Sequence, residues 1–227
     1  MRAAQAARTA SWSLGRWGMS QAELGRQLYR ERAEIRVYLG SLSDEQWHQP
    51  SSCSGWNVIE VAAHLAGFLS VSVVGLARRM ARAGFSPQRA NARDVATWTN
   101  RGAPAILAAL SDDQPLGVAE VYRTVGLTEA VIHHQDMRRP FGERRAIPEI
   151  RLRAALGLIS HRPGTGTGAL RRRRGVRLTA TDIDWSIGSG PLVTGPSEAI
   201  LMALAGRMDA LDELSGEGKA LLAEHFA

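Results

Sequence analysis

Apolar side chains recur at helical spacing from residue 24 to residue 42, which predicts one amphipathic helix ending near Ser41. Ser20 followed by Glu23 is typical of a capping box, in which the serine side chain caps the helix and the glutamate reaches back to the backbone. We therefore expect the folded part to begin at Ser20. Residues 1–19 lack such a period and are predicted to form a disordered extension.

The same spacing predicts three more long helices after the first. They are expected over residues 57–81, over residues 91–110 with a kink near Gly102 and Pro104, and from Leu116 or Gly117 to the residue before Pro140. A shorter helix over residues 148–160 leads into an Arg/Gly-rich stretch ending at residue 175, whose composition is typical of a linker.

The pattern changes to a short alternation after residue 175. Residues 176–180 and 184–187 predict a β-hairpin, residues 192–195 a third strand, and Pro196 the start of a last helix. The expected fold class is therefore α+β, with an N-terminal four-helix bundle and a small C-terminal α/β domain. We place the bundle at 20–147, the helix and linker at 148–175, and the C-terminal domain at 176–227.

The composition limits the class of protein and the cellular location that we expect. The hydrophobic fraction of 44% suits a globular core, and no stretch approaches the roughly 20 apolar residues that a membrane helix needs, so we expect no membrane partner. The chain has a single cysteine, Cys53, which excludes an internal disulfide framework and favours a cytoplasmic location. We expect a monomer or a homodimer.

The net charge of +6 is unevenly distributed. Residues 138–177 hold twelve arginines against Glu143 and Glu149, a local excess of ten positive charges. Such a segment could bind nucleic acid or another anionic partner, with residues 171–174 at its centre. No nucleic-acid-binding motif accompanies it, so a solvated connector is the favoured interpretation.

Glu129 and His133 lie four residues apart in a predicted helix and therefore share one of its faces. A carboxylate and an imidazole placed in this way can both bind a divalent metal, and His64, on the inner face of the second helix, is the candidate third ligand. Asp136 could orient a ligand imidazole. The alternative is that the pair meets by chance and that His64 is an ordinary core histidine.

Several separated motifs resemble one family. They are Gly55-Trp56-Asn57-Val58 with Val61-Ala62-Ala63-His64-Leu65, then Glu129-Ala130-Val131-Ile132-His133-His134-Gln135-Asp136, and a tail from Leu178-Thr179-Ala180-Thr181-Asp182 through Trp185, Gly188 and Gly195 to Leu204-Ala205-Gly206-Arg207. Together they are similar to the mycothiol-dependent maleylpyruvate isomerase-like proteins, over about residues 20–222. The short link 111–117 and the arginine-rich insert before Val176 depart from the family pattern.

This resemblance implies a DinB-like bundle that binds zinc, or another divalent metal, through His64, Glu129 and His133. It also implies mycothiol as the thiol cofactor, and a catalytic and cofactor-binding role for Arg207 toward an anionic group. The expected function is zinc-dependent activation of a low-molecular-weight thiol that attacks an electrophilic substrate, in an S-transferase or a maleylpyruvate isomerase-like reaction. The alternatives are a non-catalytic metal- or ligand-binding protein of the same fold and a basic regulator that binds nucleic acid.

Overall fold

The computed structural model describes residues 19–161 and 168–226. The predicted extension, apart from Met19, lies outside the described residues, as does most of the Gly-rich part of the predicted linker. Helices dominate, with one three-stranded sheet, so the predicted α+β class is confirmed. Along the described residues, every helix is too short or too polar to span a bilayer.

The chain divides into two compact units. The first contains the described residues up to Gln49 together with Asn57–Ala130, and the second contains Pro50–Trp56 and the described residues from Val131 onward. The domain boundaries drawn from the sequence stay a prediction.

The first unit is helical. Its elements are α1 (Gln21–Gly40), α2 (Asp44–Trp47), α3 (Val58–Ser70), α4 (Val73–Arg82), α5 (Pro87–Ala109), α6 (Val118–Val121) and the start of α7 (Arg123–Arg138). The long helices α1, α3, α5 and α7 correspond to the predicted bundle. Their inward faces supply fully buried side chains such as Leu28, Leu65, Ile106 and Leu127.

Local signals place the ends of α1 and the kink of α5 where they are predicted. Ser20 Oγ accepts a hydrogen bond of 3.1 Å from the Glu23 N–H, which satisfies one of the unpaired donors at the start of α1. Gly102 has a φ of 77° inside α5, two residues before Pro104, so the predicted kink is confirmed. Glycine adopts this left-handed conformation without a steric penalty.

Two predicted helices are each interrupted. The helix expected over residues 57–81 is two helices, because Val71 is extended (φ −72°, ψ 129°) between α3 and α4. The helix expected from Leu116 or Gly117 is likewise broken at Tyr122, between α6 and α7. Both single-helix predictions are wrong. The Val118 N–H donates to the Val71 carbonyl over 2.6 Å, so a long-range hydrogen bond takes an acceptor that an unbroken helix would use internally.

The second unit combines helices with the sheet. From α7 it continues through a 3₁₀ turn (Arg139–Phe141), α8 (Glu149–His161), α9 (Ala169–Arg172), β1 (Arg177–Ala180), β2 (Ser186–Gly188), β3 (Leu192–Gly195), α10 (Ser197–Leu204), a second 3₁₀ segment (Met208–Glu213) and α11 (Lys219–Glu224). Thus α9 lies in the stretch interpreted as a linker.

The sheet has the order β2-β1-β3. Strand β1 pairs antiparallel with β2, with Leu178 opposite Ile187, so the predicted hairpin is confirmed. It pairs parallel with β3, with Leu178 opposite Val193. The Asp182 carboxylate accepts from both the N–H and the hydroxyl of Ser197, at 2.8 and 2.9 Å, and so fixes the start of α10 next to the sheet.

Candidate metal centre

His64 projects from α3 with one ring nitrogen already engaged. Its Nδ1 lies 2.7 Å from the side-chain oxygen of Asn91 on α5, and its ring stacks on Phe68 with the centroids 6.2 Å apart. Because an amide oxygen only accepts hydrogen bonds, Nδ1 carries the proton. In the neutral ring, Nε2 then presents its lone pair.

The Glu129 carboxylate faces that second nitrogen. His64 Nε2 and Glu129 Oε2 are 3.5 Å apart, which is longer than an ordinary N–H···O hydrogen bond. A neutral His64 would point a lone pair at a carboxylate oxygen. Protonation of the ring or a cation held by both atoms would relieve this opposition, and the pair is therefore suited to metal binding.

His133 follows Glu129 by one turn of α7, as predicted, and is buried. Its Nδ1 lies 2.8 Å from the Asp136 carboxylate, so the predicted contact between these two residues is present. The carboxylate accepts a hydrogen bond from the protonated Nδ1, so Nε2 is the metal-binding nitrogen of the neutral ring. His134 is wholly buried and its Nε2 accepts from Arg138 over 2.9 Å.

Asp136 is held by Arg207. The Arg207 Nε donates to Asp136 Oδ1 over 2.7 Å, a second guanidinium nitrogen donates to Oδ2, and Nη1 donates to the Ala205 carbonyl over 2.6 Å. Burial by itself raises the pKa of the Asp136 carboxyl, but the hydrogen bonds from Arg207 and His133 outweigh burial and hold the pKa below its ordinary value. Arg207 thus keeps Asp136 charged in a fully buried position.

The loop Pro50–Trp56 reaches the same residues of the second unit. The Ser52 N–H donates to the Asp136 carbonyl over 2.9 Å, and Trp56 stacks on His133 with centroids 6.4 Å apart. Ligand atoms of Cys53, His133 and Asp136 lie within 4.8 Å of one another. The sequence pattern gave no sign that Cys53 and Trp56 lie close to His133.

The candidate donors are of the types that zinc binds, and each histidine has a supporting hydrogen-bond partner. Two imidazoles and one carboxylate are a common ligand set for catalytic zinc, which leaves a coordination position for water or substrate. Both imidazoles have Nδ1 occupied by an oxygen acceptor, an arrangement that metal-binding histidines usually have. Sequence reasoning missed Asn91, because an asparagine 27 residues from His64 belongs to no recognisable motif.

Known proteins match the chain in part of its sequence and in fold. Residues 28–116, less than half of the chain, match the family model described as the mycothiol maleylpyruvate isomerase N-terminal domain. No curated protein matches the sequence. A crystal structure of the mycothiol-dependent maleylpyruvate isomerase has a TM-score of 0.62 at 17% identity, covering 88% of this chain and 94% of that chain.

A histidine-to-alanine mutant of the mycothiol-dependent maleylpyruvate isomerase matches with a TM-score of 0.58 at 16% identity, with the same coverage of both chains. At such identities the structural matches show a shared fold. The matched N-terminal segment and the matched fold together confirm the resemblance to the mycothiol-dependent maleylpyruvate isomerase-like family that the sequence motifs carry.

Proposed function

We propose that the protein is a zinc-dependent enzyme that uses a low-molecular-weight thiol of the mycothiol class. The observation that carries the proposal is the matched support of the two histidines: Asn91 holds Nδ1 of His64, and Asp136 holds Nδ1 of His133. With Glu129 as the third ligand, the three side chains would hold zinc or another divalent metal. Bound zinc lowers the pKa of a coordinated thiol and so supplies a thiolate nucleophile at neutral pH.

The protein's own residues position this chemistry. Asp136 and Asn91 fix the tautomer and the ring direction of the histidines, so that each Nε2 is the unprotonated nitrogen. Arg207 neutralises the buried Asp136, which would otherwise be costly to keep charged. Arg207 is also our candidate for holding an anionic group of the cofactor or the substrate, through Nη1, which now donates to the Ala205 carbonyl.

In the reaction that we propose, the thiolate sulfur forms a bond to an electrophilic carbon of the substrate. In a maleylpyruvate isomerase-like reaction the same C–S bond breaks again and releases the thiol, whereas in an S-transferase reaction the C–S bond remains and a leaving group departs from the carbon. The family resemblance supports both, and the thiol and an electrophilic small molecule are the proposed partners. A non-catalytic protein would share the metal ligands but would bind the thiol without turnover.

Metal analysis of the purified protein combined with a mycothiol titration tests the proposal. We expect about one zinc per chain in the wild type and loss of most of it in His64→Ala and in His133→Ala, since each removes one of three ligands. His48→Ala, which changes an exposed histidine on α2's C-terminal side, is the matched control. Full metal retention in both ligand variants would refute the assignment, and thiol binding without conversion of a broad electrophile panel would favour the non-catalytic alternative.

A further inference from the structure

Helix α4 has an unusual outward face. None of its residues is fully buried, and its exposed side includes Val73 at 55% and Val74 at 60% exposure, with Ala77 and Ala81 also exposed. At 100° per residue these four side chains share one face of the helix. A surface helix usually turns polar residues outward, so an exposed face with four apolar side chains departs from the usual pattern.

Phe85 extends this apolar face beyond the end of the helix. Its side chain is 75% exposed, and its backbone has a φ of 56°, a left-handed conformation that residues other than glycine seldom adopt. We call Val73, Val74, Ala77, Ala81 and Phe85 the outer stripe.

Polar contacts hold the inner side of α4 to its unit. Arg79 donates to the Asp94 carboxylate over 2.7 Å and to the Gly67 carbonyl over 3.1 Å. The orientation of the helix is therefore fixed by a residue on the side opposite the outer stripe. This anchor leaves the apolar face exposed.

Positive charge flanks the outer stripe. Arg78 and Arg82 are exposed one turn apart beside it. Residues 61–93 contain five arginines and no aspartate or glutamate, and of these arginines Arg79 is paired with Asp94 on the inner side of α4. A second copy of the chain placed against the same face would bring like charges together, which disfavours self-association.

We propose that the outer stripe and its flanking arginines contact an anionic lipid surface. Arginines attract anionic headgroups while exposed apolar side chains enter the boundary between headgroups and acyl chains. A fluid surface requires no shape complementarity, which suits a face made mostly of small side chains. The expectation of no membrane partner concerned bilayer-spanning segments, which a peripheral contact does not need. A helix about 15 Å long predicts weak, reversible binding.

Co-sedimentation of the full-length protein with vesicles tests the proposal. We expect at least about tenfold stronger binding to vesicles containing phosphatidylglycerol than to pure phosphatidylcholine, lost at about 0.5 M salt. Arg78→Gln/Arg82→Gln should weaken binding by about fivefold per arginine. Val73→Ser/Val74→Ser/Phe85→Ser should also weaken it, whereas Val37→Ser, which removes an apolar side chain of 72% exposure on α1, should not.

Circular dichroism and thermal melting would establish that each variant is folded, as expected for substitutions at exposed positions. Equal binding to both kinds of vesicle, no binding to either, or wild-type binding by the triple serine variant would overturn the proposal. A wild-type dimer that the triple serine variant abolishes would also overturn it, because the face would then belong to a second copy.

Discussion

The two candidate ligand histidines are supported by neighbours of two different chemical classes. His133 relies on a buried carboxylate held by Arg207, whereas His64 relies on the neutral amide of Asn91 at 2.7 Å. A carboxylate partner raises the basicity of an imidazole more than an amide does, because it carries charge. The two histidines would therefore contribute unequally to metal affinity.

The contribution of Asn91 can be isolated by substitution. Asn91→Ala should lower zinc affinity by about 10- to 100-fold, because His64 loses the acceptor that fixes its tautomer. Competition with a chromogenic chelator measures the change. Asn100→Ala, at an exposed position of the same helix, is the control and should bind zinc like the wild type. Equal affinities in the two variants would exclude the orienting role of Asn91.

Asp136 predicts a pH dependence of stability in the metal-free protein. Its pKa is lower in the folded state than the value of about 3.9 in an unfolded chain, so its stabilisation is present above about pH 4 and is lost as the pH falls through the folded value. Urea unfolding at a series of acidic pH values should show that the unfolding free energy of the wild type decreases as the pH is lowered. The slope should be shallower in Asp136→Asn, and identical slopes would contradict the argument.

At the scale of the element, the breaks that bound α4 and α7 have a tertiary origin. Val71 and Tyr122 are neither glycine nor proline. The break at Val71 has a local contribution as well, because the Ser72 hydroxyl caps the start of α4 by accepting from the Gly75 N–H over 3.0 Å. The hydrogen bond from Val118 to Val71 joins residues 47 positions apart, so a single-sequence pattern cannot reveal it. By contrast the Ser20 cap and the Gly102 kink use residues with strong local preferences, and these were predictable.

Gly117 secures the contact between the two breaks. Its φ is 54°, and a Cβ added there would lie 2.2 Å from the Val71 carbonyl oxygen. Gly117→Ala should therefore lower the free energy of unfolding by about 3 kcal/mol, through backbone strain and this clash. Chemical denaturation measures the loss.

Gly40→Ala is the matched control for Gly117→Ala. A Cβ at Gly40, the last residue of α1, would meet no atom within 4 Å. We expect no loss of stability there, or a gain of up to about 1 kcal/mol from the better helix propensity of alanine. If both substitutions change the free energy of unfolding by the same amount, the contact at Gly117 makes no specific contribution to stability.

Across the whole molecule, part of the positive charge of residues 138–177 is matched by acidic side chains. Arg139 alone contacts the carboxylates of Glu198, Asp209 and Glu213. Burial by itself lowers the pKa of Arg139, but these carboxylates outweigh it and raise the pKa above its ordinary value. The sequence showed the excess of arginines, but the three acids that Arg139 contacts all lie more than 50 positions away from it, so this network was not predictable.

Removal of Arg139 tests the weight of this network. Arg139→Ala should destabilise the protein by about 2 kcal/mol, less than for a fully buried pair because Asp209 is half exposed. The control is Arg153→Ala, which breaks an exposed ion pair with Glu149 and should cost at most about 0.5 kcal/mol. Thermal and urea unfolding of both variants would show the difference, and equal losses would mean that the Arg139 contacts are no stronger than a surface pair.

The sequence motifs contain the candidate ligands and Asp136, but they do not contain the other residues that support them. His64, Glu129 and His133 stand in motifs with helical spacing, and Asp136 follows His133 by the three residues that bring it alongside. Asn91, Cys53 and the Arg207–Asp136 ion pair depend on tertiary contacts between distant parts of the chain. The fold class followed from the change of period after residue 175, while the parallel pairing of β3 with β1 did not.

Arg32 has a consequence for how the chain tolerates sequence change. This fully buried arginine of α1 donates to the main-chain carbonyls of Gln114, over 2.7 Å, and Asp112, over 3.2 Å. Because both acceptors are main-chain atoms, they are present whatever side chains residues 111–117 carry. Residues 111–115 are therefore open to extensive substitution at a constant length, and their variants would share one backbone path as long as Arg32 and Gly117 are kept.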